Sequence, residues 1–231
     1  MKTRILFTIA CTLFLASSVL AQGQDEEMKL LFQKKDKSEN EKIANGGYGA
    51  MTFGWTQIEG KSAIIMGAQF AWIANHHFGL GLAGRGFFND FSTSADYNPS
   101  EYFLAGGYGG LMFEPIVLPM SPVHVSFPII LGVGGVTANP ANGWRDYGYY
   151  YYDNYYYDTD VYFVFEPGVD VEFNIAKFFR IALGASYRLT DGINLTYKYF
   201  DEISGDIKSV AIDKNALNSF NASVSLKFGW F

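Results

Sequence analysis

The sequence has few of the residues on which secreted enzymes and disulfide-stabilised folds depend. Its one cysteine, Cys11, lies in an apolar N-terminal segment, so we expect no disulfide, thiol nucleophile or cysteine metal site after processing. It has only three histidines, His76, His77 and His124. Charged residues make up 17% of the chain, with a net charge of −6. This composition is unlike that of an ordinary soluble domain, and the negative charge disfavours nucleic acid as a partner.

An uninterrupted apolar run long enough for a membrane helix is also missing after the N-terminus. The best candidate, residues 115–136, contains four prolines and one histidine, and internal prolines break helices. The N-terminal apolar run, residues 5–15, follows Lys2 and Arg4 and precedes small residues that end at Ala21. This pattern predicts a cleaved signal peptide over residues 1–21. The polar segment 22–45 is then expected to be a periplasmic leader.

Aromatic residues make up 18% of the chain, which also contains 25 glycines, and from residue 46 onward the apolar residues recur with a period of two. The clearest example is 161–174, where odd positions are mostly apolar and even positions mostly polar or small. Such alternation predicts a strand with one apolar face. Each predicted strand is long enough to cross a tilted bilayer. The eight predicted strands cover residues 47–57, 62–74, 78–89, 102–114, 123–137, 161–174, 179–189 and 219–230.

The links between these strands alternate in length, which favours a membrane barrel. Three links on one side are short, and three of the four on the other side, 90–101, 139–160 and 190–217, are long. Outer-membrane barrels have short periplasmic turns and long extracellular loops. The third long link alternates within 193–199 and again within 207–212. We expect it to form a hairpin above the membrane, and ten membrane strands is the alternative.

The aromatic residues distinguish a membrane barrel from a soluble one. An eight-stranded barrel has room inside only for modest side chains, so five or six large apolar residues per strand must face outward. Aromatic residues on that face lie near both ends of the strands, as they do at the two surfaces of a bilayer. The set near the short turns is Trp72, Phe78, Phe113, Phe173, Phe179 and Trp230, and the set near the long loops is Trp55, Phe88, Phe103, Phe163, Tyr187 and Phe220.

The last seven residues, SLKFGWF, resemble the C-terminal assembly signal of outer-membrane barrels. Residues 46–231, with glycine- and tyrosine-rich phrases at 46–49 and 106–110, resemble the small outer-membrane β-barrel proteins of Bacteroidetes, of the OmpA/OmpX-like type. The resemblance implies an all-β fold with one antiparallel transmembrane barrel, and insertion by the barrel-assembly machinery through Phe231. It implies no single activity. The chain departs from the usual signal because Trp230, rather than Phe231, is in the lipid-facing phase.

Seven charged residues fall on the inward face of the predicted strands. They could line a polar channel, but a network of ion pairs that fills the narrow interior is the favoured interpretation, because unpaired buried charge is costly. The predicted lumen charges are Arg85, Glu114, Glu166, Asp170, Glu172, Arg180 and Arg188.

Catalysis is not expected from the histidines. All three fall at the short-turn, periplasmic end, whereas acyl chemistry on outer-leaflet lipid would need a base at the other end. Adjacent strand residues such as His76 and His77 point to opposite faces and do not form a metal site. Two prolines, Pro128 and Pro167, lie within predicted strands. Each is expected at a bulge or beside an unpaired carbonyl.

The second long link contains half of the 16 tyrosines, between residues 147 and 158. Tyrosine gives recognition loops a large, rigid contact surface with a polar tip. This segment is therefore a candidate binding surface; the alternative is that its tyrosines rest on the lipid headgroups. Asp146, Asp153, Asp158 and Asp160 around it allow a weak Ca²⁺ proposal. The tyrosines assigned to the candidate surface are Tyr149, Tyr150, Tyr151, Tyr152, Tyr155, Tyr156 and Tyr157.

The sequence therefore predicts a non-enzymatic outer-membrane barrel without a cofactor or a metal. Its surface loops would serve binding, adhesion or envelope integrity, and its partners would be outer-membrane lipid and an extracellular ligand or protein. A narrow pore for small solutes is the alternative function, and a lipid-modifying barrel enzyme is the third.

Overall fold

A computed structural model describes residues 45–89, 100–140, 158–201 and 204–231. The predicted signal peptide and nearly all of the leader lie outside these residues, as do the tyrosines of the second long link. The described part contains no helix long and apolar enough to cross a membrane.

The described residues form eleven strands that match the predicted positions closely. The strand predicted over 123–137 is divided in two, and the third long link contains two short strands. The strands are β1 (Asn45–Ile58), β2 (Lys61–Ala74), β3 (Phe78–Phe88), β4 (Tyr102–Val117), β5 (Val123–Ser126), β6 (Ile129–Pro140), β7 (Thr159–Ala176), β8 (Phe179–Thr190), β9 (Thr196–Asp201), β10 (Asp206–Ala211) and β11 (Ser219–Trp230).

Nine of these strands close into one antiparallel ring. β1 pairs with β2 and β11, β3 pairs with β2 and β4, and β7 and β8 continue the ring to β11. β5 and β6 both pair with β4 and β7, so together they fill one position in the wall. The barrel therefore has eight wall positions, as predicted. β9 and β10 form a separate two-stranded sheet and do not enter the wall.

Two prolines interrupt the wall without changing its register. Pro128 lies between β5 and β6, and the pairing of both strands with β4 has the same register. The β7–β8 ladder pairs Phe165 with Leu189 and resumes at Gly168 with Ser186, so it omits Glu166 and Pro167. Proline has no amide hydrogen to donate to a ladder. Neither proline lies at a bulge; the recorded register shift in β7 is at 174–176.

The barrel is apolar outside, and its interior contains charged and polar side chains between two apolar clusters. Its outward side chains include Trp230, 72% exposed, and Phe163, 68% exposed. Buried residues include Glu114, Lys227 and Arg188, all at most 1% exposed. A closed barrel satisfies its backbone hydrogen bonds internally, and bacterial barrels with this exterior lie in the outer membrane. The fold and the location predicted from the sequence are confirmed.

Candidate functional site: the barrel lumen and its two ends

Lys227 occupies the centre of the inner, periplasmic half of the lumen. Its Nζ lies 2.5 Å from Glu114 Oε1 and 2.6 Å from Glu172 Oε1. Asp170 Oδ2 is 3.8 Å from the same nitrogen. The alternation of β11 places Lys227 on the same face as Ser225, towards the lumen. One buried ammonium group thus contacts three carboxylates from β4 and β7.

Hydroxyl groups also contact two of these carboxylates, Glu114 and Glu172. Ser126 Oγ donates to Glu172 Oε1 at 2.7 Å and lies 3.0 Å from Glu114 Oε1. Tyr48 also donates its hydroxyl hydrogen to Glu114. The carboxylates of Glu114, Asp170 and Glu172 lie close enough together to suggest a cation site. However, the Lys227 ammonium already stands among them and supplies the positive charge, so the cluster offers a metal ion no free position.

His124 lies inside the barrel and does not form a catalytic arrangement. Its Nε2 is 3.1 Å from Glu172 Oε2 and 3.3 Å from Arg180 Nη1. In a Ser–His–acid triad the histidine contacts the serine hydroxyl, because it must accept that proton. Here Ser126 and His124 both contact the same carboxylate, and both are at most 2% exposed. The group holds the β5, β7 and β8 walls together.

Glu166 is the main acceptor in the middle of the lumen. Ser186 Oγ donates to Glu166 Oε1 at 2.7 Å, and Tyr108 donates to the other carboxylate oxygen. Arg85 donates from Nη2 to Gln69 Oε1 at 2.8 Å. Between these groups lies a cavity of about 20 Å³. That volume holds about one water molecule and is no continuous passage.

Arg188 marks the upper edge of the polar lumen. Its Nε donates to the carbonyl oxygen of Leu217 at 2.6 Å. Its guanidinium carbon lies 4.8 Å from the ring centre of Phe87 and 5.7 Å from that of Tyr108. These distances suit cation–π contacts. The side chain thus joins β8 to the link between β8 and β11 and to two aromatic rings of the wall.

The link 191–218 folds over the extracellular mouth of the barrel, and we call it the cap. Its side chains Ile193, Leu195 and Leu217 are at most 2% exposed. They belong to one apolar cluster with inward residues of the wall, among them Leu104 and Tyr162. The predicted hairpin, β9–β10, is therefore present, but its flanking residues fill the barrel mouth.

Three aspartates attach the cap to the ends of the wall strands. Asp158 Oδ2 accepts a hydrogen bond from the Thr196 amide at 2.8 Å, and Asp160 Oδ2 accepts one from Asn194 at 2.6 Å. Asp191 Oδ1 accepts one from the Phe163 amide at 2.9 Å. Asp158 and Asp160 therefore have a structural role in this fold. The other aspartates of the Ca²⁺ hypothesis, 146 and 153, lie outside the described residues.

Phe231 closes the periplasmic end. It is 4% exposed and belongs to an apolar cluster that also contains Ile73 and Met112. Its ring centre lies 5.9 Å from that of Tyr48 and 3.9 Å from the guanidinium carbon of Arg180. The neighbouring residue, Trp230, points to lipid, as its sequence phase indicates. Recognition of Phe231 by the assembly machinery stays a prediction.

The seven predicted lumen charges all lie on the inner side of the wall, in separate groups at different heights. The two charges nearest the middle of the lumen are Arg85, which contacts Gln69, and Glu166, which contacts Ser186 and Tyr108. Lys227, the central cation, and the hydroxyls of Tyr48 and Tyr108 are not among the residues predicted for the lumen. All three lie in the inward phase of their strands, so the same alternation contained the signal. The tyrosines predicted as a surface site, 149–152 and 155–157, lie outside the described residues.

The chain is similar, at low sequence identity, to several proteins of known structure. No protein-family model and no curated protein matches the chain. Neisserial surface protein A is 9% identical, with a TM-score of 0.45 over 80% of this chain and 96% of that one. A major outer membrane protein from Thermus thermophilus is 11% identical, with a TM-score of 0.47 over 81% and 100%. The attachment invasion locus protein of Yersinia pestis is 12% identical, with a TM-score of 0.44 over 80% and 99%.

The chain is a small outer-membrane β-barrel. The assignment follows from the closed strand pairing and the lipid-facing exterior described above.

Proposed function

We propose that this barrel is neither a solute pore nor an enzyme, and that it acts through its extracellular end. There it would bind a surface partner or stabilise the envelope. The observation that carries the proposal is the filled lumen. Ion pairs occupy its inner half, the apolar cap fills its outer mouth, and Phe231 lies across its inner end.

The contacts argue against conduction because a permeating ion would have to displace paired charges. Lys227, Glu114 and Glu172 are at most 1% exposed, and Lys227 is paired with both carboxylates. Breaking a buried ion pair costs several kcal/mol, about 3–5 when one partner is lost. An ion leaving the charged half would then meet the apolar cluster of the cap. Neither region offers the row of weak sites that conduction requires.

The arrangement also argues against catalysis. His124 lies in the lumen rather than at the outer leaflet, and it shares Glu172 with Ser126 and Arg180 instead of activating a hydroxyl. Among the described residues, Phe231 and the apolar cluster of the cap lie between this group and the two ends of the barrel. Among the described residues, the polar clusters of the lumen are therefore best understood as the interior packing of the barrel.

The tyrosine-rich segment is the candidate for partner contact. It stands between β6 and β7 in the chain, and Asp158 and Asp160, which follow it, attach the cap to the wall. The test replaces the seven tyrosines named above with serine, and a matched variant carries phenylalanine at the same positions.

Cells that display each variant are incubated with glycan arrays and with immobilised extracellular-matrix proteins. We expect the serine variant to lose binding that the wild type shows, and the phenylalanine variant to keep contacts that depend on ring stacking. Equal binding by wild type and serine variant would remove the segment from the proposal. Increased detergent sensitivity of a deletion strain, rescued by the serine variant, would instead support a role in envelope integrity.

A further inference from the structure

The outer surface of the barrel contains a groove of about 520 Å³ across β6, β7 and β8. Its sides are outward apolar residues of all three strands, among them Val133, Phe163 and Leu189. These side chains are 40–68% exposed in the barrel alone. The groove is therefore a concave part of the lipid-facing surface and not part of the lumen.

The groove lies in the extracellular half of the wall. Phe163, in its lining, belongs to the aromatic set nearest the long loops, and Asp191, at its rim, begins the cap. Its lower end is next to the place where the β7–β8 ladder omits Glu166 and Pro167. The regular wall is thus interrupted directly below the groove, on the side away from the headgroups.

The polar groups at the rim are already used. Asp191 Oδ1 accepts a hydrogen bond from the Phe163 amide at 2.9 Å. Thr190 Oγ1 donates to Asn218 Oδ1 at 2.9 Å. A polar ligand would therefore find few free donors or acceptors here. An apolar chain needs none, and the groove is continuous with the surface that acyl chains already cover.

We propose that this groove binds one acyl chain of an outer-leaflet lipid and retains it more strongly than the rest of the barrel surface does. The chain would enter from the headgroup side at the rim and lie between the β6 and β8 side chains. Concavity supports retention because an acyl chain in a groove contacts protein on several sides, where it would otherwise contact neighbouring acyl chains.

The test uses the whole mature barrel, refolded in detergent with dipalmitoylphosphatidylethanolamine, and native mass spectrometry to count bound lipid. We expect one lipid to remain per barrel after detergent exchange. Val133→Trp fills the groove and should weaken lipid retention about tenfold. General contact with the whole barrel surface would not change by this much on one substitution. Leu189→Trp fills it from another strand, in case the first variant does not refold. Met66→Trp, on the lipid face of β2 across the barrel, is the matched control and should retain the lipid.

A heat-modifiable gel band verifies the fold of each variant. A broad distribution of lipid adducts on the wild type would show only general lipid contact, and the absence of any adduct would show that no lipid is retained. Either result would overturn the proposal. So would a bound lipid that survives in both groove variants, or one that is lost equally in Met66→Trp. None of these outcomes depends on whether the lumen conducts.

Discussion

Replacing Lys227 with methionine is expected to destabilise the barrel strongly. Methionine keeps much of the length of the side chain but removes the ammonium group that contacts Glu114 at 2.5 Å and Glu172 at 2.6 Å. Glu114 then remains buried without a cation, and Glu172 keeps the contact of its Oε2 with Arg180 Nη1 at 3.5 Å. Loss of one partner from a buried ion pair costs about 3–5 kcal/mol. We expect the free energy of unfolding to fall by about this amount.

The assay is reversible urea unfolding of the barrel in lipid vesicles, followed by tryptophan fluorescence. The control is Lys208→Met on the exposed hairpin, where the lysine pairs with Asp201 and its side chain is 50% exposed. An exposed pair contributes about 0–1 kcal/mol, so this variant should stay close to the wild type. Adding Glu114→Gln to Lys227→Met removes the carboxylate charge that has lost its cation and should recover part of the loss. A loss no larger than that of Lys208→Met would refute the central role of Lys227.

The two ends of the lumen give two further predictions. Phe231→Ala should lower the free energy of unfolding by about 3–5 kcal/mol, the cost of truncating a buried phenylalanine, and Trp230→Ala, on the lipid face, should cost less in the same urea assay. Leu195→Asp places a charge in the apolar core of the cap and should make residues 191–218 sensitive to protease while the heat-modifiable barrel persists. Ile207→Asp, at a position 59% exposed on β10, should leave the cap resistant; equal cleavage of both variants would mean that the cap core is not what protects the segment.

The strands could be predicted from the sequence because the membrane requires a strict alternation. Lipid-facing residues must be apolar, and lumen-facing residues must be small or paired. In segments such as 161–174 the face to which each residue points can therefore be predicted residue by residue. The two alternating pieces within 190–217 are short and charged, and this favours eight membrane strands over ten. The departure of Trp230 and Phe231 from the usual phase was also visible, and the structure gives its reason: Phe231 turns inward onto Arg180.

The packing of the lumen could be predicted only in part. The inward charges were identifiable, but which of them meet depends on the stagger of the strands around the ring. Lys227 lies in the inward phase of β11, but the alternation does not show that it meets Glu114 and Glu172. The cap was harder still, because the alternation in 193–199 predicts a hairpin but does not show that Ile193 and Leu195 pack against the barrel mouth. Such contacts join residues far apart in the chain.

The central claim is that the lumen is closed, and single-channel conductance in planar bilayers tests it most directly. The refolded barrel, with heat-modifiable mobility as the check of folding, should insert without any steady conductance. Steady channels of uniform size from the same preparation would contradict the account. They would also make Arg85, Glu166, Asp170 and Arg180 candidates for the residues that select the permeating ion.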